Sequence, residues 1–97
     1  GNRDLRVGLL VIEILIDEAF SLKDKRSVLK RIIKKLRDNF NVAISEIDYH
    51  DVWNESKLAL VTVSNEGKNV DRVLQNILNY IEADKSVELI KSHVEMF

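Results

Sequence analysis

Hydrophobic positions divide the chain into segments with two different periods. Residues 5–16 are apolar at both alternating sets of positions, interrupted only by Glu13 on one of them, which is typical of a strand in the middle of a sheet. Residues 42–49, 58–64 and 87–97 predict three further strands, and the acids in the first of these favour an edge position. Alternation places Lys91, His93 and Glu95 on one side of the last strand.

Between these strands, apolar residues recur at helical spacing in two stretches. The first helix should begin at Ser21, which forms a Ser-x-x-Asp capping sequence with Asp24, and should end near residues 38–39. Its apolar stripe comprises Leu22, Leu29, Ile32, Ile33, Leu36 and Phe40. The second helix should begin within residues 65–69. Its stripe comprises Val70, Val73, Leu74, Ile77, Leu78 and Ile81.

The resulting β-α-β-β-α-β order predicts an α+β fold. Two right-handed β-α-β units joined by a hairpin give a four-stranded antiparallel sheet with both helices on one face. We expect the strand order 4-1-3-2, because it puts the two most apolar strands in the middle. A chain of 97 residues is suited to one domain, spanning 1–97.

The sheet face opposite the helices should be bare and partly apolar. The expected exposed residues are Val7, Leu9, Val11, Leu58, Leu60 and Leu89. So apolar a face rarely stays in water, which predicts a homodimer. Trp53, in a polar connection, either packs against the sheet edge or a dimer mate or forms an interaction hot spot. The central strands contain no aromatic residue, so RNA recognition by base stacking on this face is not expected.

Charge changes this picture, because it is unevenly distributed. The net charge is −1, yet residues 23–37 hold eight of the fifteen basic residues and one acid. Any attraction to nucleic acid must therefore be local.

No apolar run reaches the roughly 18–20 residues of a membrane span, and no signal sequence precedes the first strand, so we expect a cytoplasmic protein.

Seven of these basic residues lie outside the apolar stripe of the first helix: Lys23, Arg26, Lys30, Arg31, Lys34, Lys35 and Arg37. Like charges four residues apart destabilise a helix by about 0.2–0.5 kcal/mol per pair, so stability alone would favour interspersed Glu. Three interpretations remain: a solvated face, a contact surface for the phosphate backbone of structured RNA or a ribosomal assembly, and a surface for an acidic protein. Lys25 instead falls inside the apolar arc. It either extends out to water or pairs with an acid such as Asp48, Asp51 or Glu18.

Catalytic and metal-binding signals are weak. The chain has no cysteine, which excludes disulfides, thiol catalysis and thiolate metal sites, and it has no Gly-rich phosphate loop. Residues 48–51, Asp-Tyr-His-Asp, resemble a metal-binding cluster, but we interpret them as a polar hairpin. The sequence therefore predicts a non-enzymatic binding protein without a metal or cofactor.

Several short motifs, in this order, resemble the YlxP-like family of small bacterial proteins of unknown function. They are residues 21–26 (Ser-Leu-Lys-Asp-Lys-Arg), 39–42 (Asn-Phe-Asn-Val), 51–53 (Asp-Val-Trp) and 70–74 (Val-Asp-Arg-Val-Leu). The resemblance covers nearly the whole chain, and its first motif is the most specific. It implies a ferredoxin-like fold and, through the family's gene neighbourhoods, a link to translation and ribosome maturation. It implies no catalytic residues.

Overall fold

The computed structural model describes residues 5–97 and confirms the order of elements that the sequence predicts. The elements are β1 (Arg6–Ile16), α1 (Leu22–Asn39), β2 (Ala43–Asp48), β3 (Glu55–Ser64), α2 (Gly67–Ala83) and β4 (Val87–Met96). The strands form an antiparallel sheet in the order β2-β3-β1-β4, which is the predicted order 4-1-3-2. β3 begins three residues earlier than predicted, at Glu55, because Ser56 pairs with the end of β1.

The core lies between one face of the sheet and the two helices. Even-numbered residues of β1 from Leu10 to Ile16 are at most 1% exposed, whereas the odd-numbered ones are half-buried. The helices cover this side with the buried residues Leu29, Ile32, Leu36, Val70, Leu74, Ile77 and Ile81. The apolar stripes read from the sequence are therefore the faces that build the core.

Close packing of α2 on β1 depends on Gly8. A Cβ atom added at this position would collide with Cγ1 of Val70 and would lie 2.9 Å from Cδ1 of Leu74. Side chains essentially never approach so closely, so the Val70 and Leu74 side chains would have to shift to admit a larger residue. The missing side chain at Gly8 therefore leaves the space that these two α2 side chains occupy.

The start of α1 has the capping interactions that the sequence predicts. The Ser21 hydroxyl accepts a hydrogen bond from the Asp24 backbone N–H at 3.0 Å. The Asp24 carboxylate in turn accepts one from the Phe20 N–H, also at 3.0 Å. Two backbone donors that would otherwise lack partners are satisfied, and a negative charge lies at the positive end of the helix dipole.

The open face of the sheet differs from the prediction at three positions. Val7, Leu9 and Val11 lie on it as expected, but Leu58 and Leu60 do not, since both are 0% exposed. The antiparallel register pairs them with Ile12 and Leu10, so they point toward the helices. The predicted exposure of Leu58 and Leu60 is therefore wrong.

Leu89 is the third correction. The pairing of β1 with β4 shifts between Glu13, which pairs with Lys91, and Ile14, which pairs with Leu89, so Ile90 is an extra bulged residue. This bulge reverses the alternation along β4. Leu89 consequently packs against the core. Lys91, His93 and Glu95 share one side of β4 as predicted, and this side belongs to the open face.

Candidate nucleic-acid interface

Seven of the eight basic residues of α1 form a continuous exposed surface. We call it the basic face and define it by the seven residues Lys23, Arg26, Lys30, Arg31, Lys34, Lys35 and Arg37, all of which are exposed. Four of them, Arg26, Lys30, Lys34 and Arg37, recur every three or four residues and so follow one side of the helix. At a rise of about 1.5 Å per residue, this row is roughly 16 Å long.

Three members of the basic face make contacts within the fold. Lys34 pairs with Asp38 at 2.8 Å, one turn along the same helix. Arg37 donates to the Ile44 carbonyl at 3.1 Å and so ties α1 to the edge strand β2. Arg31 pairs with Asp84 at 2.9 Å and donates to the Ser86 hydroxyl at 2.6 Å, which joins α1 to the segment after α2.

The Arg31–Asp84 contact is a structural tie at the margin of the basic face. Partial burial raises the pKa of Asp84, but hydrogen bonds from Arg31 and Ser86 outweigh it and lower that pKa to about 2. The same hydrogen bond raises the pKa of Arg31. The charge of Arg31 is therefore largely neutralised within the molecule.

The other four cations, Lys23, Arg26, Lys30 and Lys35, form no ion pair with any residue of the described range 5–97. A shallow groove beside them is lined by Lys30, Ile33, Lys34, Arg37 and Asp38. Ile33 lies half-buried there between charged side chains. The basic face thus has unneutralised cations for an anionic partner but no aromatic residue on which a base could stack.

Lys25, which precedes the groove on α1, is not part of this surface. It is 1% exposed, and its ammonium group donates to the carbonyls of Tyr49 at 2.6 Å and Val52 at 2.7 Å. It also pairs with the Glu46 carboxylate at 3.0 Å, and the same oxygen accepts a hydrogen bond from Ser56 at 2.6 Å. These contacts, which we call the Lys25 clip, match the three protons of the ammonium group.

The sequence predicted that Lys25 either reaches water or pairs with an acid, and the structure shows a pair. The predicted partners, Asp48, Asp51 and Glu18, are wrong, because the carboxylate is that of Glu46. The two backbone carbonyls could not be seen from sequence, since they depend on the path of the loop between β2 and β3. Tyr49, in that loop, adopts a positive φ of 63°, which is uncommon outside glycine.

Polar residues occupy one end of the open sheet face. Glu13 accepts a hydrogen bond from the Tyr49 hydroxyl at 2.7 Å and lies 3.9 Å from the Lys91 ammonium group. The hydrogen bond to the Glu13 carboxylate raises the pKa of Tyr49. Toward the other end the face is apolar, with Val61 39% and Val63 45% exposed and with Val7, Leu9 and Val11 half-buried.

Trp53, the other predicted interface residue, lies in the loop before β3 and is 45% exposed. Its ring stacks on Phe20, with the two centroids 6.5 Å apart. Sequence reasoning missed Phe20, which directly precedes the helix cap. An apolar residue just before a helix cap often packs against the fourth residue of the helix. Here that fourth residue is Lys25, a charged residue, so the sequence did carry a signal that Phe20 packs elsewhere.

Within residues 5–97, no three His, Asp or Glu side chains are close enough together to hold a metal ion. Over the same residues, no helix has both the length and the apolar character needed to cross a membrane.

The architecture defines a ferredoxin-like α+β protein with a basic first helix. A family model described as "Protein of unknown function (DUF503)" matches residues 7–94, and the chain belongs to this family. The chain is also 36% identical over 91 residues to the uncharacterized protein YlxP of Bacillus subtilis strain 168, covering 94% of this chain and 99% of that protein.

Comparison with solved structures agrees on the fold. A dimeric ferredoxin-like protein of unknown function from Thermobifida fusca superposes with a TM-score of 0.54 at 13% identity, covering 96% of this chain and 90% of that one. The designed protein Foldit4 superposes with a TM-score of 0.53 at 18% identity, covering 95% and 96%. At these identities the likeness shows the fold alone.

Proposed function

We propose that this protein is a non-enzymatic accessory protein that binds structured RNA, or a ribosomal assembly, through the basic face. The observation that carries the proposal is a set of five cations on one helix that have no ion-pair partner among residues 5–97, in a protein with a net charge of −1. They are Lys23, Arg26, Lys30, Lys35 and Arg37. The outer face of α2 has no similar concentration of basic residues, so among the elements of residues 5–97 the positive charge is concentrated on α1.

The proposed contact is with the phosphate backbone rather than with bases. Lysine and arginine neutralise phosphates and release counterions, so affinity falls as salt rises. The basic face has no aromatic side chain for stacking, and so we expect recognition of backbone and shape instead of sequence.

Filter binding of total RNA over a range of salt concentrations tests the proposal. The double variant Arg26→Gln/Lys30→Gln removes two charges from the row and should lower the slope of log affinity against log salt by about 1.4–1.8. The matched control is Lys68→Gln/Arg72→Gln, which makes the same change on the exposed face of α2. Binding that does not depend on salt, or equal slopes for the two double variants, would remove the proposal.

A homodimer formed through the open sheet face is the second candidate. Val61 and Val63 are exposed beside the half-buried Val7, Leu9 and Val11. Both edge strands carry a bulge, β4 at Ile90 and β2 near Ile47, and bulges hinder pairing between sheet edges. The Thermobifida fusca neighbour is described as dimeric, which is consistent with this candidate.

Light scattering at micromolar concentrations measures the dimer directly. Val61→Asp should give a monomer, because it places a charge in the apolar part of the face. The matched control is Val94→Asp, at a similarly exposed valine (43%) on the side of β4 that faces the helices. A wild-type protein of strictly monomeric mass would contradict this candidate.

A further inference from the structure

Two exposed aromatic residues lie where the sheet ends near the start of α1. Phe20 is 80% exposed, the highest value among the large hydrophobic residues of the described range 5–97, and it stacks on Trp53 with 21° between the ring planes. Val52 beside them is 36% exposed. We call Phe20, Val52 and Trp53 the aromatic tip. Neither RNA binding by the basic face nor dimerisation through the open sheet face uses it.

The backbone beneath the aromatic tip is held on both sides. The Lys25 clip fixes the Val52 carbonyl, and the Asp24 carboxylate fixes the Phe20 N–H. The carbonyl of Asn54, directly after Trp53, accepts a hydrogen bond from the N–H of Ile16 at 2.8 Å. A surface ordered in advance loses little conformational entropy on binding, which favours its use as a docking point.

Acidic residues outnumber basic ones in the two segments that carry Phe20 and Trp53. Within three residues of Phe20 or Trp53 the chain has four acids and one lysine. The acids are Asp17, Glu18, Asp51 and Glu55, all exposed, and none of them forms an ion pair with another residue of the range 5–97. The lysine is Lys23, at the near end of the basic face.

We propose that the aromatic tip docks a basic peptide segment of a protein partner, with an apolar side chain of that segment packed on Phe20 and Trp53. Tryptophan is the residue type most enriched at interaction hot spots, and the surrounding carboxylates complement lysine and arginine in the segment. A nucleotide fits less well, because stacking its base on the rings would bring its phosphate toward those carboxylates.

Trp53 is the only tryptophan in the chain, so its fluorescence reports on this surface alone. The probe is a short synthetic peptide with one phenylalanine flanked by arginines. It should change Trp53 emission saturably, and Phe20→Ala should weaken its binding about tenfold or more. The matched control is Phe97→Ala, at a 66% exposed aromatic residue that pairs with Val7 at the opposite end of β1, and it should bind like wild type.

A second set of measurements tests the charge argument. Neutralising the acids in Asp17→Asn/Glu18→Gln/Asp51→Asn should weaken binding of the peptide several-fold. A peptide with serine in place of phenylalanine should bind the wild-type protein no more tightly than the original peptide binds this triple variant. Arg26→Gln/Lys30→Gln should not weaken binding of the peptide. Failure of this proposal can therefore be distinguished from failure of the proposed RNA binding. The proposal is overturned if the peptide leaves Trp53 emission unchanged, if Phe20→Ala binds it like wild type, or if oligouridylate binds the rings more tightly than the peptide does.

Discussion

Replacing Lys25 with methionine tests the Lys25 clip. Methionine has a similar length and flexibility, so it should fill the buried space without leaving a large cavity. What it removes is the ammonium group, which leaves the carbonyls of Tyr49 and Val52 and the carboxylate of Glu46 without that donor. The Ser56 hydroxyl remains as a partner for Glu46.

The size of the stability loss depends on how exposed to water the groups are that lose the Lys25 donor. Breaking a buried ion pair by removing one partner costs about 3–5 kcal/mol when the remaining charge stays buried. The Glu46 side chain is 20% exposed and keeps one hydrogen bond, which favours the lower end of that range. We therefore expect a loss of about 3 kcal/mol, or roughly 12–24 °C in melting temperature for a domain of this size.

Urea unfolding followed by circular dichroism measures this loss. The matched control is Lys23→Met, the same change two residues earlier at an exposed position, which should stay within about 0.5 kcal/mol of wild type. The double variant with Glu46→Gln should lose less than the sum of the two single changes, because both act on one contact. If Lys25→Met and Lys23→Met are equally stable, the buried contacts do not stabilise the fold and the reasoning fails.

Three further predictions concern the fold. Gly8→Ala should destabilise by about 1–3 kcal/mol in thermal melts, because the added methyl group collides with α2, whereas Gly67→Ala meets no atom within 4 Å and should be tolerated. Ser21→Ala should cost about 1 kcal/mol through the lost helix cap, and an equal loss for the exposed mid-helix control Ser27→Ala would contradict that cause. Native contacts lower the pKa of Asp84 from 3.8 to about 2, so the contribution of Asp84 to stability is complete above pH 3.8 and is lost as the pH falls toward 2. The Asp84→Asn variant should lose less stability than wild type over this pH range, as thermal melts at several pH values can measure.

The elements, their order and the strand order could be predicted because each depends on a local pattern. β1 is apolar at both alternating sets of positions and lies in the middle of the sheet. The apolar stripes of both helices face the sheet. The cap at Ser21 was also readable, since Asp24 is only three residues away. Periodicity and short-range capping therefore account for most of the fold.

The errors arose where a single residue or a loop path decides the outcome. One bulged residue, Ile90, moves Leu89 from the open face to the core, and no composition signal marks it. Both alternating sets of β3 contain apolar residues, so composition does not decide which set faces the helices. The register with β1 shows that Leu58 and Leu60 point inward. For Lys25, the burial was signalled by its place in the apolar arc, but the choice of Glu46 depends on how β2 lies beside α1.

A change in the Lys25 clip can test the two proposed binding surfaces, the aromatic tip and the basic face, independently of each other. It holds the loop that carries Trp53, whereas the row from Arg26 to Arg37 stands on helix turns that need no contact from that loop. At a temperature where Lys25→Met is still folded, the variant should therefore bind the basic peptide more weakly but keep the wild-type salt slope for RNA. Fluorescence titration and filter binding on the same preparation measure both. The control for the peptide is Lys35→Met, the same change at an exposed lysine of α1 ten residues beyond Lys25. If peptide and RNA affinity fall together in Lys25→Met, the loop and the helix act as one surface, and the aromatic tip is not a separate docking point.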